Sequence, residues 1–178
     1  WPVDYSLPLN KKEDMKRGIE NVRILADMAA EYEIALGMEV LNRFEGYMLN
    51  TCEEAVDFVA KIDRPNVKVM LDTFHMNIEE DSFGDAIRMA GKYLGHFHLG
   101  EANRRPPFRG GRIPWDEIGE ALHDIEYTGT VVMEPFVRMG GTVGKDIRMW
   151  HDLSDNCPDE KLDQDVAESV RFLREIWE

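Results

Sequence analysis

Cysteine is nearly absent from this chain: Cys52 and Cys157 are its only two among 178 residues. Two cysteines this far apart make neither a disulfide framework nor a Cys-type zinc site, and they read as ordinary thiols of a cytosolic protein. Long apolar runs are also missing, and none approaches the ~18 residues that a membrane span needs. There is no secretory apolar segment, but the chain opens on Trp1 instead of Met. It is therefore expected to be a processed or partial chain, and the missing signal says little about targeting. Basic side chains are outnumbered, 21 against 35 acidic, for a formal net charge of −14. That balance repels phosphate backbones and disfavours nucleic-acid binding, while leaving carboxylates available for a hard cation.

What is present is a recurring pattern. Four short apolar runs, 34–42, 67–75, 93–101 and 129–137, have strand character without clean alternation, as expected of parallel strands covered on both faces. Helical stripes lie around and between them. Residues 11–33 place Met15, Ile19, Val22, Leu25, Met28, Ala29 and Tyr32 on one stripe, with Asn10 as N-cap. Thr51 and Glu54 form a capping-box pattern ahead of a helix to Ile62. Ser82 and Pro114 open two more, and a last helix is expected over 163–177. Strand ends then fall near residues 40, 73, 99 and 135, a spacing of βαβ crossover units. An open doubly wound sheet should carry a Gly-rich phosphate turn, and none follows any strand; GGTVG at 140–144 opens no long helix. The α/β class expected is therefore the TIM (β/α)8 barrel, with only about the last four βα units present. Residues 1–178 read as a single domain, the C-terminal half of such a barrel.

Each apolar run delivers a metal-capable side chain near its C-terminal end: Glu39, Asp72, His98 and Glu134. In a barrel these ends open on one face, where active sites are built. Three carboxylates and one imidazole suit Mn²⁺ or Mg²⁺, with Co²⁺ also compatible. A lone acid at a strand end is usually a helix cap or a loop ion pair, and a lone histidine is usually a hydrogen-bonded core residue. That plainer reading is accepted for His96. Four such residues at four successive strand ends weigh against it for the set. Glu45, His75 and Arg104 lie close to the same ends, and the loop 103–112 carries Arg104, Arg105, Arg109 and Arg112, able to cradle a phosphate or to stand in solvent.

The segments EVLNRFE (39–45), VKVMLDTFHMNIEEDSFGDAIR (67–88), GHFHLGE (95–101), GRIPW (111–115) and MEPFV (133–137) resemble the ketose 3-epimerases. These are the D-tagatose and D-psicose (D-allulose) 3-epimerases of the xylose-isomerase-like TIM-barrel superfamily. The resemblance covers essentially the whole chain. It implies a divalent metal, Mn²⁺ first and Co²⁺ or Mg²⁺ after it, held by Glu39, Asp72, His98 and Glu134. It also implies that Glu39 and Glu134 are the catalytic acid/base pair. Glu45, His75 and Arg104 would hold the ketose oxygens, with Phe136 and Trp1 as walls of the pocket. The implied reaction inverts C3 of a free ketohexose by proton removal and return through a cis-enediolate.

Leu99 stands where the pattern has Thr, and PPFRGG is one residue longer than the usual loop; both are expected to flank the pocket and bear on sugar preference. Alternatives are a related isomerase acting on a small hydroxy-carbonyl compound or a sugar phosphate, or an inactive metal- or sugar-binding half-barrel. A DNA-repair endonuclease of the same superfamily is disfavoured by charge. A cytoplasmic location is expected, with a small ketose as partner, no nucleic acid and no membrane. The full-length form is expected to be a homo-oligomer, dimer or tetramer.

Overall fold

The structure, a computed structural model, describes residues 6–178. Its centre is a four-stranded parallel sheet in sequential order: β1 (Leu36–Glu39), β2 (Val67–Asp72), β3 (Leu94–Leu99) and β4 (Thr130–Met133). The helices are α1 (Lys11–Ala30), α2 (Cys52–Ile62), α3 (Thr73–Glu79), α4 (Phe83–Ala90), α5 (Trp115–Asp124), α6 (Gly141–Asp146) and α7 (Asp159–Trp177). This is the strand–helix alternation of a TIM-type barrel, seen as four parallel units.

Local chemistry starts these helices where expected. The Asn10 side chain accepts from Glu13 N–H, Thr51 from Glu54 N–H and Ser82 from Asp85 N–H. The box at Thr51 is displaced by one residue on its return side, because Glu54 accepts from Asn50 N–H (2.9 Å). α7 begins at Asp159, four residues before its expected start. GGTVG forms part of the short α6. α3 was not expected, since seven residues are too few to show a helical stripe.

The core is built on one face of the sheet. Val69, Leu71, Phe97 and Leu99 are buried there together with Phe58, Ile62, Ile87 and Ile118 from α2, α4 and α5. Each such side chain contributes about 1.5–3 kcal/mol relative to exposure. The other face carries Lys68, Met70, His96 and His98, all half-buried. The strands are thus two-sided, contrary to the reading from continuous apolar character. Met70 and Gly95 mask the alternation, because neither residue looks polar in a hydropathy scan.

The choice of face in β3 depends on an irregularity. Val69 pairs with Leu94, but the next residue, Met70, pairs with His96, which leaves Gly95 without a partner in β2. The bulge puts Leu94 under the helices and His96 and His98 on the open face, opposite Met70 and Asp72. A Cβ on Gly95 would lie 2.4 Å from the Lys68 Cβ, so a larger residue does not fit.

The expected stripe on α1 is split. Met15, Ile19 and Val22 pack on the core, whereas Leu25 and Met28 are exposed and Tyr32 lies beyond the helix end. Val131 and Val132 of β4 are likewise exposed. Among the described residues no helix is long and apolar enough to cross a membrane.

Candidate metal and acid–base site

The four strand ends converge on the sheet's open face. Glu39 closes β1, Asp72 closes β2, His98 is the penultimate residue of β3, and Glu134 follows β4. Glu134 N–H donates to Leu99 O at 3.1 Å, which continues the strand ladder to that residue. The central ends are clasped by Thr73, whose Oγ1 donates to Gly100 O (2.7 Å) and accepts from Gly100 N–H (2.8 Å).

Asp72 is both a cap and a site residue. One carboxylate oxygen accepts from Phe74 N–H at 2.8 Å, starting α3, and the other accepts from Arg104 Nη1 at 2.8 Å. The same Arg104 nitrogen donates to Glu134 Oε2 at 2.9 Å. Arg104 takes a left-handed φ of 65°, a conformation that costs a non-glycine residue about 1 kcal/mol or more. It is held there by its N–H to Glu101 O (2.8 Å) and by Phe136 N–H to its own carbonyl (2.9 Å). Its guanidinium lies 3.8 Å over the Phe74 ring and 5.3 Å from that of Phe136.

Glu39, Asp72 and His98 offer ligand atoms all within 4.8 Å of one another. Among the described residues, His98 Nδ1 is a buried polar side-chain atom with no hydrogen-bond partner. Leaving it so costs about 1–3 kcal/mol, and a cation beside it would satisfy it. The donor set, two carboxylates and an imidazole, fits a divalent ion. Glu134 Oε2 stands 3.7 Å from the same Nδ1 but is paired with Arg104. The geometry therefore groups three of the four expected ligands and sets Glu134 beside them.

Charge crowding tunes the acids. Burial, then the charges of Asp72 and Glu134, push the Glu39 carboxyl up to about 7. Burial also raises Glu134, against the opposing pull of Arg104. Burial lowers His75, which favours the neutral imidazole. His75 Nε2 points to Glu39 Oε1 at 3.9 Å, and Glu45 Oε1 accepts from Asn42 Nδ2 at 3.0 Å.

Other expectations fare unevenly. Trp1 lies outside the described residues. Leu99 is buried on the helix side, away from the open face, so it does not line the site directly. His96 stacks edge-on against His98, with ring centroids 4.8 Å apart. The loop arginines do not gather into a phosphate cradle: Arg104 is engaged by two carboxylates and Arg109 by Glu175 at 2.9 Å. Three residues without an assigned role prove central. Asn42 binds His75, Phe74 carries the Arg104 guanidinium, and buried Glu101 accepts from Arg112 N–H (2.9 Å) and Trp115 Nε1 (2.8 Å). Glu101 and Asn42 were visible only as polar residues inside otherwise patterned segments.

The profile of the Xylose isomerase-like TIM barrel family matches residues 2–176. The chain belongs to that family. A D-psicose 3-epimerase from Ruminiclostridium cellulolyticum is 57% identical over 178 residues, covering 100% of this chain and 60% of that protein. One from Agrobacterium fabrum is 58% identical over 174 residues, covering 98% of this chain and 60% of the relative. The crystal structure of the D-psicose 3-epimerase from Clostridium cellulolyticum H10 with D-tagatose superposes with a TM-score of 0.97 at 57% identity, over 100% of this chain and 61% of that one. This family member thus spans about 60% of the length of the curated relatives it matches.

Proposed function

We propose that the chain carries the acid–base and metal-holding side of a ketose 3-epimerase acting on free ketohexoses such as D-fructose, D-psicose and D-tagatose. The observation that carries this reading is the placement of two carboxyls of raised pKa, Glu39 and Glu134, on the outer strands, flanking Asp72 and His98. The relatives named D-psicose 3-epimerase support it.

Inverting C3 requires removing a proton alpha to the C2 carbonyl and returning one to the opposite face. One glutamate takes the proton while the other, protonated, delivers its own; the reverse reaction exchanges their roles. A carboxyl with a pKa near 7 is suited to both duties at neutral pH. Glu39, Asp72, His98 and Glu134 would hold a divalent ion, Mn²⁺ in preference to Co²⁺ or Mg²⁺, which when bound polarises the ketose carbonyl as a Lewis acid. Arg104 and His75 would donate to the ketose oxygens where negative charge develops, Glu45 would accept from a hydroxyl, and Phe136 would close the apolar side.

The test is transfer of solvent deuterium to C3 of D-fructose, D-psicose and D-tagatose by the Mn²⁺-loaded chain. Glu134→Gln is expected to lower exchange by about 10²-fold or more while metal binding persists. Absence of exchange in the unmutated, metal-loaded chain would reject the catalytic reading and leave a binding half-barrel.

A further inference from the structure

Asn42 and His75 are each 1% exposed, and they meet through two contacts to one nitrogen. His75 Nδ1 accepts from Asn42 backbone N–H at 3.1 Å and lies 2.8 Å from Asn42 Nδ2. A backbone N–H can only donate, so Nδ1 carries a lone pair and the ring proton of the neutral imidazole resides on Nε2. The orientation of the Asn42 amide is set independently. Its oxygen accepts from Phe44 N–H at 2.9 Å and its nitrogen donates to Glu45 Oε1 at 3.0 Å, so a flipped amide would break both contacts.

From this network we infer that Asn42 is a positioning residue, holding His75 as the Nε2–H tautomer and turning Glu45 toward the same pocket. The inference deepens the epimerase reading and rests on it for the identity of the ligand. His75 then offers an N–H donor to a ketose oxygen and has no free basic nitrogen facing the site. Proton abstraction falls to the carboxylates, and Asn42 links the two side chains that would grip the sugar. Nothing in the local pattern EVLNRFE signals this, because His75 arrives from a different strand end.

The test is the ¹⁵N spectrum of the imidazoles in the metal-free 178-residue chain, with His75→Gln used to assign the signal. The expected result is a pyridine-type Nδ1 and a pyrrole-type Nε2 for His75. In Asn42→Ala the backbone N–H remains and the Nε2–H tautomer should persist, while the lost side-chain contacts to His75 Nδ1 and Glu45 should shift the Nδ1 signal; in a chain with activity KM for the ketose should rise about tenfold with a smaller change in kcat. Asn42→Ser serves if the alanine variant does not fold. A protonated Nδ1 in the unmutated chain overturns the inference, and so do an unchanged Nδ1 signal and KM in a folded variant. A chain that performs no C3 exchange but shows the Nε2–H tautomer refutes the epimerase reading alone, since the spectrum needs no substrate.

Discussion

The two middle strands and the two outer strands hold the same kinds of side chain in different surroundings. β2 and β3 have six residues each and present Asp72, 1% exposed, and His98, 15% exposed at its side chain. β1 and β4 have four residues each and present Glu39 and Glu134, whose side chains are 37% and 35% exposed. Asp72 is tied by a helix cap and by Arg104, and the Thr73–Gly100 clasp locks its strand end to that of β3. The outer ends are joined by single backbone bonds, Val40 N–H to Met70 O and Glu134 N–H to Leu99 O, and Glu134 shares Arg104 with Asp72. On the proposed reading this difference in exposure suits two tasks. A ligand anchor gains from rigidity, whereas a group that accepts and releases a proton gains from a pKa near neutrality and access to its substrate.

The contrast predicts a descending series of effects. Asp72→Ala removes the α3 cap and leaves the buried Arg104 guanidinium with one carboxylate; it should cost about 3 kcal/mol in denaturant unfolding. A loss below about 1 kcal/mol would show that the centre is not the anchor. Gly95→Ala forces a Cβ against Lys68 in the middle of the sheet and should cost about 2 kcal/mol by the same measurement.

The third effect concerns pH. Glu39 must lose its proton to ligate a cation, and its carboxyl titrates at about 7. Affinity for Mn²⁺ or Mg²⁺ should therefore weaken as pH falls from 8 to 6. The slope should approach one proton, or about 1.4 kcal/mol per pH unit below the midpoint. Calorimetry in two buffers of different ionisation enthalpy measures the released proton directly, and a flat profile would mean that the outer carboxylate is not a ligand. Gly37→Ala is the matched control at the outer strand, since its Cβ would sit at an ordinary 3.5 Å from Met70 Cβ. It should change stability by no more than about 0.5 kcal/mol.

Much of this arrangement was legible without coordinates. The four strand ends were placed to within two residues, since apolar runs and turn residues mark strand limits locally. Three helix caps were read correctly because a cap involves residues only three apart. Glu39, Asp72, His98 and Glu134 were singled out because four metal-capable residues at four strand ends form a pattern along the chain.

What resisted reading depends on register and on distant partners. Whether His98 faces Asp72 is decided by the bulge at Gly95, which exists only once β2 and β3 are paired. That one guanidinium spans Asp72 and Glu134 follows from the left-handed turn at Arg104, and no single position encodes it. The tautomer of His75 hangs on Asn42, 33 residues earlier in the chain. Composition and local spacing determined the strand–helix order and the chemical types at the strand ends, because these depend on near neighbours. Only the folded sheet decided which of them meet, how each carboxyl is tuned and which nitrogen holds its proton, since burial and Coulomb energy depend on distances in space.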